Sequence, residues 1–163
     1  MWPDQHGGKE VDKGVAIIAQ SSNIAINLTM NTRSTPIAYV LTTGNQAKID
    51  MSDLGLAMIN DKRVTAIGIY IEGFKDIKKF EKMAFSALRS NIPIVVLKSG
   101  KTDLSKKQSF SHTASITGDS DISSAFLKRL GIVEVDDLEL FLETLKVLNF
   151  NGRLEKNSII SVS

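Results

Sequence analysis

One histidine in the body of the chain, His112, sits in Ser111-His112-Thr113, inside the polar stretch KSGKTDLSKKQSFSHTASITGD from Lys98 to Asp119. An imidazole can attack phosphorus through one nitrogen while a carboxylate holds the N–H of the other and fixes the tautomer. Glu72, within Tyr70-Ile71-Glu72-Gly73, is the candidate carboxylate. The phosphoryl oxygens gather charge during transfer and need donors already in place, which the free amides of a helix N-terminus supply. Ser21, Ser22 and Asn23 stand where such a terminus would begin. Ser and Asn accept first-turn amide hydrogens, and the helix dipole favours anions there. Capping alone explains these three residues as well as phosphate binding does. Gly44 and Asn45 follow a second strand, and a positive-φ turn explains Gly44 better than close approach to a ligand.

Two other chemistries fit less well. A Ser-His-Glu hydrolase would use the same histidine, but no GxSxG elbow is present and no serine is singled out as nucleophile. Gly100-Lys101-Thr102 lacks the upstream glycine of a Walker phosphate loop.

The elements that must hold these residues can be read from apolar periodicity. Short aliphatic runs begin near residues 15, 37, 64, 94 and 132, each of the kind expected of a strand, the first two covered on both faces. Helical patterns fill every gap. Ile24, Ile26, Leu28 and Met30 continue the first. Ser52 is expected to cap a second, with Leu54, Ala57 and Met58 on one face. Asp76 opens a third through Ile77, Phe80, Ala84, Ala87 and Leu88, with Lys78, Lys79 and Lys82 as its solvated face. Ile122, Ala125, Phe126 and Leu130 stripe a fourth, which stops at Gly131. Asp136 with Glu139 resembles a capping box for the last, whose apolar face is Leu138, Phe141, Leu142 and Leu145. The charged fifth strand, Ile132 to Val135, belongs nearer an edge.

Successive strands joined by helices must be parallel, so the expected fold is α/β: a doubly wound, mainly parallel five-stranded flavodoxin-like sheet with helices on both faces. Such sheets bind ligands beyond the carboxyl ends of their strands. Ser21 to Asn23, Gly44-Asn45, Glu72 and the His112 loop all follow such ends. Their convergence on one edge is the physical reason to expect a site.

Composition sets the outer bounds. At 163 residues, 42% apolar and 23% charged, the chain suits one globular domain with an aliphatic core. It has no cysteine and only two histidines, His6 being in a polar tail, so neither thiolate sites nor a metal centre is expected. A net charge of +2 with scattered lysines argues against nucleic acid. No apolar run approaches the roughly 20 residues that span a bilayer, and the start lacks a signal peptide's apolar core, so a cytoplasmic location off the membrane is expected. Residues 1–13 read as tail or linker remnant and 14–149 as the domain. Residues 150–163 read as linker and the truncated start of a following domain, with Ser158 to Val162 a strand cut off as it begins.

The ordered series IAQSSNIAINL, TTGNQAKIDMSDL, IGIYIEGFKD, PIVVLKSGKT and FSHTASITGD resembles the succinyl-CoA-synthetase-like domain of the NDP-forming acyl-CoA synthetases, such as acetate–CoA ligase (ADP-forming), over roughly residues 14 to 148. The resemblance implies that His112 is phosphorylated in turnover, that Glu72 orients it, and that Ser21, Ser22 and Asn23 begin the phosphate-stabilising helix. Gly44, Asn45, Ser111 and Thr113 would then belong to loops of the cleft. The implied reaction is acyl-CoA + phosphate + NDP ⇌ acid + CoA + NTP, with a small carboxylic acid or acyl phosphate as the reacting group. It implies CoA, ADP or ATP, and Mg²⁺ in the complete enzyme, with no cofactor held by this segment alone. It further implies a CoA-binding Rossmann-like domain and an ATP-grasp domain or subunit as partners, in a homo- or hetero-oligomer, and an isolated chain without activity. Two positions depart from the family pattern: Ser22 and Ala114 stand where glycine is usual. Side chains there would crowd backbone that approaches phosphate, which favours a second reading as a non-catalytic regulatory domain of a related protein acetyltransferase. A phosphate- or ligand-binding flavodoxin-like module is the third.

Overall fold

The computed structural model describes residues 7–99 and 120–153. The elements run β1 (Gly14–Ala19), α1 (Ser22–Met30), β2 (Ile37–Thr42), α2 (Met51–Ile59), β3 (Val64–Ile71), α3 (Ile77–Arg89), β4 (Ile94–Lys98), α4 (Ser120–Arg129), β5 (Val133–Val135) and α5 (Leu138–Asn151). All strand pairings are parallel, in the order β2-β1-β3-β4-β5. That is the expected flavodoxin-like order, whose switch point lies between β1 and β3.

Strand alternation divides the core into two layers. Ala16 and Ile18 of β1 and Ile67, Ile69 and Ile71 of β3 pack with Met51 and Ile59 of α2, Phe80, Met83, Ala84 and Ala87 of α3, and Leu127 of α4. Val15 and Ile17 of β1 and Ala66 of β3 pack on the other side with Leu28 of α1 and Phe141, Leu142 and Leu145 of α5. Phe74, just past β3, meets Phe80 and Phe126 edge to face at centroid separations of 4.9 and 5.7 Å, which closes the first layer at its carboxyl end.

Several local expectations are corrected. The run at Ile37 is not covered on both faces: β2 is an edge strand, with Ile37 to Leu41 half-buried and Thr42 exposed. The cap of α2 is Asp50, not Ser52. Its carboxylate accepts from the amides of Ser52 and Asp53 while Asp53 reaches back to the Asp50 amide, a reciprocal capping box. Likewise Asp137, not Asp136, caps α5 and accepts from Leu140 N at 2.7 Å. The buried stripe of α2 is Met51, Gly55 and Ile59, with Ala57 exposed. In α4, Ser123 and Leu127 turn inward, while Ile122 is 70% exposed and Ala125 is exposed too. Ile77 and Leu88 of α3 are exposed as well. A short helix rich in apolar residues offers overlapping stripes, and the surface it packs on decides which is buried.

Lys79 is more than a solvated residue. Its ammonium lies 3.0 Å from Asp50 Oδ2 and 2.6 Å from Asp53 Oδ2, tying α3 to the α2 cap. The hydrogen bond from Lys79, then that between Asp53 and the Asp50 backbone, holds the Asp53 carboxyl below the usual carboxylate range. Stability linked to this depressed value is present above the unfolded carboxyl's pKa, about 3.9, and is lost as pH falls through the folded value. Lys79→Met should raise the Asp53 titration midpoint toward the ordinary range and flatten the acid limb of the stability profile. Carboxyl NMR titration measures the first, and an unmoved midpoint would contradict the assignment.

Gly14 opens β1 with no room for a side chain. A Cβ there would collide with the carbonyl oxygen of Pro36 and stand 2.8 Å from its carbon. That carbonyl accepts from Val15 N at 2.8 Å, so the backbone cannot retreat without breaking the β1–β2 pairing. Gly14→Ala should cost about 1–3 kcal/mol, the usual overpacking range, read as a lower midpoint in urea. An unchanged midpoint would show that the strand end can yield.

Candidate functional site

Because every strand pairing is parallel, the turns after β1, β2, β3 and β4 meet along one edge, and hydrogen bonds join them there. Thr43 N donates to Ala19 O at 3.0 Å, Gln20 N to Tyr70 O at 3.2 Å, and Ser99 N to Ile71 O at 2.9 Å. Register pairs Ala19 with Tyr70 at the end of the β1–β3 ladder, and the Gln20 side chain then meets the Glu72 amide, so the turn that leads into α1 and the turn that carries Glu72 are adjacent.

Ser21 is the N-cap of α1 and accepts from Ile24 N at 3.4 Å. Ser22 and Asn23 are exposed in the first turn, where helix geometry gives the amides no intrahelical acceptor. The other described helices have an aspartate as N-cap or an acidic residue in the first turn; α1 has neither. Its positive end is therefore free to attract an anion. Ser22 does not have a positive φ, so a glycine is not needed there for the backbone. Its side chain would bear only on something arriving from outside.

Glu72 follows β3. Tyr70 packs against the core layer that holds Leu28 of α1 and Phe141, Leu142 and Leu145 of α5. Burial pushes the Tyr70 phenol above its ordinary range, a side-chain hydrogen bond with Ser99 draws it back, and the charge of Glu72 raises it again.

Two buried glutamines hold the backbone at this point. Gln20, 5% exposed, accepts through Oε1 from Glu72 N at 2.6 Å and Gly73 N at 3.0 Å. Gln46, 2% exposed, donates through Nε2 to Gly73 O at 3.3 Å and accepts through Oε1 from Met51 N at 3.1 Å. Lys75 Nζ donates to the carbonyls of Gln46 and Ala47, the latter at 2.9 Å. The loop after β2 is thereby pinned to the turn after β3. Asn45 accepts from Ala47 N at 3.1 Å, and Gly44 has φ +52 with no atom of the described residues within 4 Å of where a Cβ would be. Gly44 here serves the turn.

Of the residues singled out from sequence, Ser21, Ser22, Asn23, Gly44, Asn45 and Glu72 share this edge. Ser111, His112, Thr113 and Ala114 lie outside the described residues, as do His6 and the strand expected at 158–162. Gln20, Gln46 and Lys75 carried no expected role. The one signal for Gln20 was an amide side chain directly after a continuous aliphatic strand; for Gln46 the sequence held none. Among the described residues no group of three or more His, Cys, Asp or Glu could hold a metal, and no helix is long and apolar enough to cross a membrane.

The strand order and the helices on both faces define a doubly wound, flavodoxin-like α/β domain. More narrowly, the chain belongs to the family of succinyl-CoA ligase like flavodoxin domains, whose model matches residues 12–148. It is 33% identical over 149 residues to the acetate–CoA ligase [ADP-forming] of Methanocaldococcus jannaschii, covering 90% of this chain and 21% of that protein. Against the acetate–CoA ligase [ADP-forming] II subunit alpha of Pyrococcus furiosus the identity is 27% over 150 residues, covering 91% of this chain and 32% of that subunit. The solved dinucleotide-forming acetyl-coenzyme A synthetase 1 of Ca. Korarchaeum cryptofilum, in complex with phosphate and ADP, superposes with a TM-score of 0.79 at 29% identity, covering 91% of this chain and 32% of that one. The chain thus spans 21–32% of the length of these relatives.

The pairing of Tyr70 with Glu72 can be measured. The fold favours the protonated phenol, so stability linked to Tyr70 is complete below the unfolded phenol's pKa, about 10, and is lost as pH rises through the higher folded value. Tyr39, raised chiefly by its hydrogen bond to Asp61, is removed from view in a Tyr39→Phe background. There Glu72→Gln should lower the phenolate absorbance midpoint of Tyr70 yet leave it above the ordinary value, because burial is the larger cause. A midpoint indifferent to Glu72 would place the carboxylate elsewhere.

Proposed function

We propose that this chain is the phosphohistidine-carrying domain of an NDP-forming acyl-CoA ligase, acting with a CoA-binding Rossmann-like domain and an ATP-grasp domain or subunit. The observation that carries the reading is the adjacency, at the carboxyl edge, of the turn that carries Glu72 and the N-terminus of α1, which has no acidic residue in its own first turn, in a chain of this family. Phosphate displaces CoA from the acyl-CoA to give an acyl phosphate. The His112 imidazole then attacks phosphorus, the P–O bond to the acyl group breaks, and the carboxylic acid leaves. Finally NDP takes the phosphoryl from His112 to form NTP and restores the free imidazole.

Each chain residue has a separate task in that sequence. Glu72 accepts the N–H of the imidazole nitrogen that does not attack, keeping the other nitrogen nucleophilic. The amides of Ser22 and Asn23 receive the charged phosphoryl oxygens, with Ser21 ordering the turn. Gly44, Asn45, Ser111 and Thr113 shape the cleft. CoA, the nucleotide and Mg²⁺ belong to the partner domains. The domain proper runs from residue 14 through the end of α5 at Asn151, two residues beyond the boundary expected from sequence, with a tail before it and a linker after it, and the assembly works in the cytoplasm. Ser22 and Ala114 in place of glycine are the features that favour the regulatory reading.

The test uses the ligase assembled with its partner domains and [γ-³²P]ATP. Acid-labile label should appear on the native chain and vanish in His112→Asn, while Glu72→Gln should slow its appearance. Label that persists in His112→Asn would remove the phosphohistidine role. A chain unlabelled at any ATP concentration would favour the regulatory domain.

A further inference from the structure

The turn that carries Glu72 is fixed by side chains rather than by the sheet. At Glu72 the ladder between β1 and β3 has ended, so the amides of Glu72 and Gly73 have no strand partner. Gln20 Oε1 takes both, at 2.6 and 3.0 Å, and since both neighbours are donors its amide orientation is forced. Gln46, from the loop after β2, holds Gly73 O through Nε2 at 3.3 Å, and the Met51 amide at 3.1 Å forces that orientation too. Both amide and carbonyl of Gly73 are therefore held, by glutamines from two different strand ends.

Gln46 shows how firmly this arrangement is set. It sits at φ +57, in the left-handed region that ordinary side chains avoid. Such a conformation persists only where the surroundings over-determine it. Here they include both side-chain bonds, the Gln46 N to Thr43 O bond at 3.0 Å, and Lys75 on the Gln46 carbonyl.

We infer that Gln20 and Gln46 together clamp the backbone of the Glu72–Gly73 turn, Gln20 through the amides of Glu72 and Gly73 and Gln46 through the Gly73 carbonyl, and act as positioning residues for the Glu72 carboxylate. The inference rests on the role proposed for Glu72 in phosphoryl transfer. Neither glutamine touches the reacting atoms. Their effect runs through the direction in which the peptide aims the carboxylate, and a misplacement of about 1 Å can cost on the order of 10²-fold in rate.

The test is a mutant cycle in the assembled ligase, read as the rate of histidine labelling from [γ-³²P]ATP by rapid quench. Gln20→Met and Gln46→Met keep side-chain volume and remove the hydrogen bonds. Each should slow labelling by about 10- to 10²-fold with the apparent KM for ATP unchanged. The double variant Gln20→Met/Glu72→Ala should be no slower than Glu72→Ala, because a clamp has nothing to aim once the carboxylate is gone. Native rates in both glutamine variants, or losses that multiply in the double variant, would overturn the clamp while leaving Glu72 in place. A native rate in Glu72→Ala would remove the role of Glu72 and the clamp with it. Should Gln20→Met unfold at the assay temperature, Gln46→Met combined with Glu72→Ala carries the same comparison.

Discussion

A buried amide hydrogen needs an acceptor, and at the carboxyl edge of this sheet the strands stop supplying them. The local architecture of the site answers that shortage. Gln20 takes the amides of Glu72 and Gly73, Gln46 takes the Gly73 carbonyl, and Lys75 takes the carbonyls of Gln46 and Ala47. Leaving such groups unpaired would cost about 1–3 kcal/mol each, enough to let the turns after β2 and β3 come apart. Because they stay together, a carboxylate and a helix N-terminus from neighbouring strand ends share one edge.

The rest of the molecule makes that edge rigid. Two apolar layers grip the sheet from both sides, one through α2, α3 and α4, the other through α1 and α5. Helix ends are fixed by their own chemistry: Asp50 and Asp53 close the start of α2, and Lys79 spans from α3 to hold both. Among the described helices only α1 has neither an aspartate N-cap nor an acidic residue in its own first turn. A helix that starts where the sheet changes direction, with its dipole uncompensated, is the feature of this fold most suited to a phosphoryl group.

Membership of the succinyl-CoA ligase like flavodoxin family agrees with that physical reading and extends over nearly all of the described domain. The chain corresponds to only 21–32% of the relatives it matches. A thioester, a phosphate and a nucleotide must all be brought to one histidine in the proposed reaction. Under that proposal the edge shaped by α1, Glu72 and two pinned loops would be one wall of the meeting point and partner domains would supply the others.

The sequence alone determined the element order, the parallel sheet and the edge on which Ser21 to Asn23, Gly44-Asn45 and Glu72 gather. Aliphatic runs alternating with helical periods admit few other arrangements. It did not determine helix rotation: Ile122 and Ala125 are exposed while Leu127 is buried, because the partner surface selects among overlapping stripes. Nor did it separate Asp50 from Ser52, or Asp137 from Asp136, as caps, since either residue of each pair has the chemistry and only backbone geometry assigns the place. The strand order made β2 an edge and left its aliphatic run half-covered. Above all, tertiary structure decided that Gln20 and Gln46 would meet at Gly73. Hydrogen bonds between residues 27 and 53 positions apart follow from folding in space, and no local pattern encodes them.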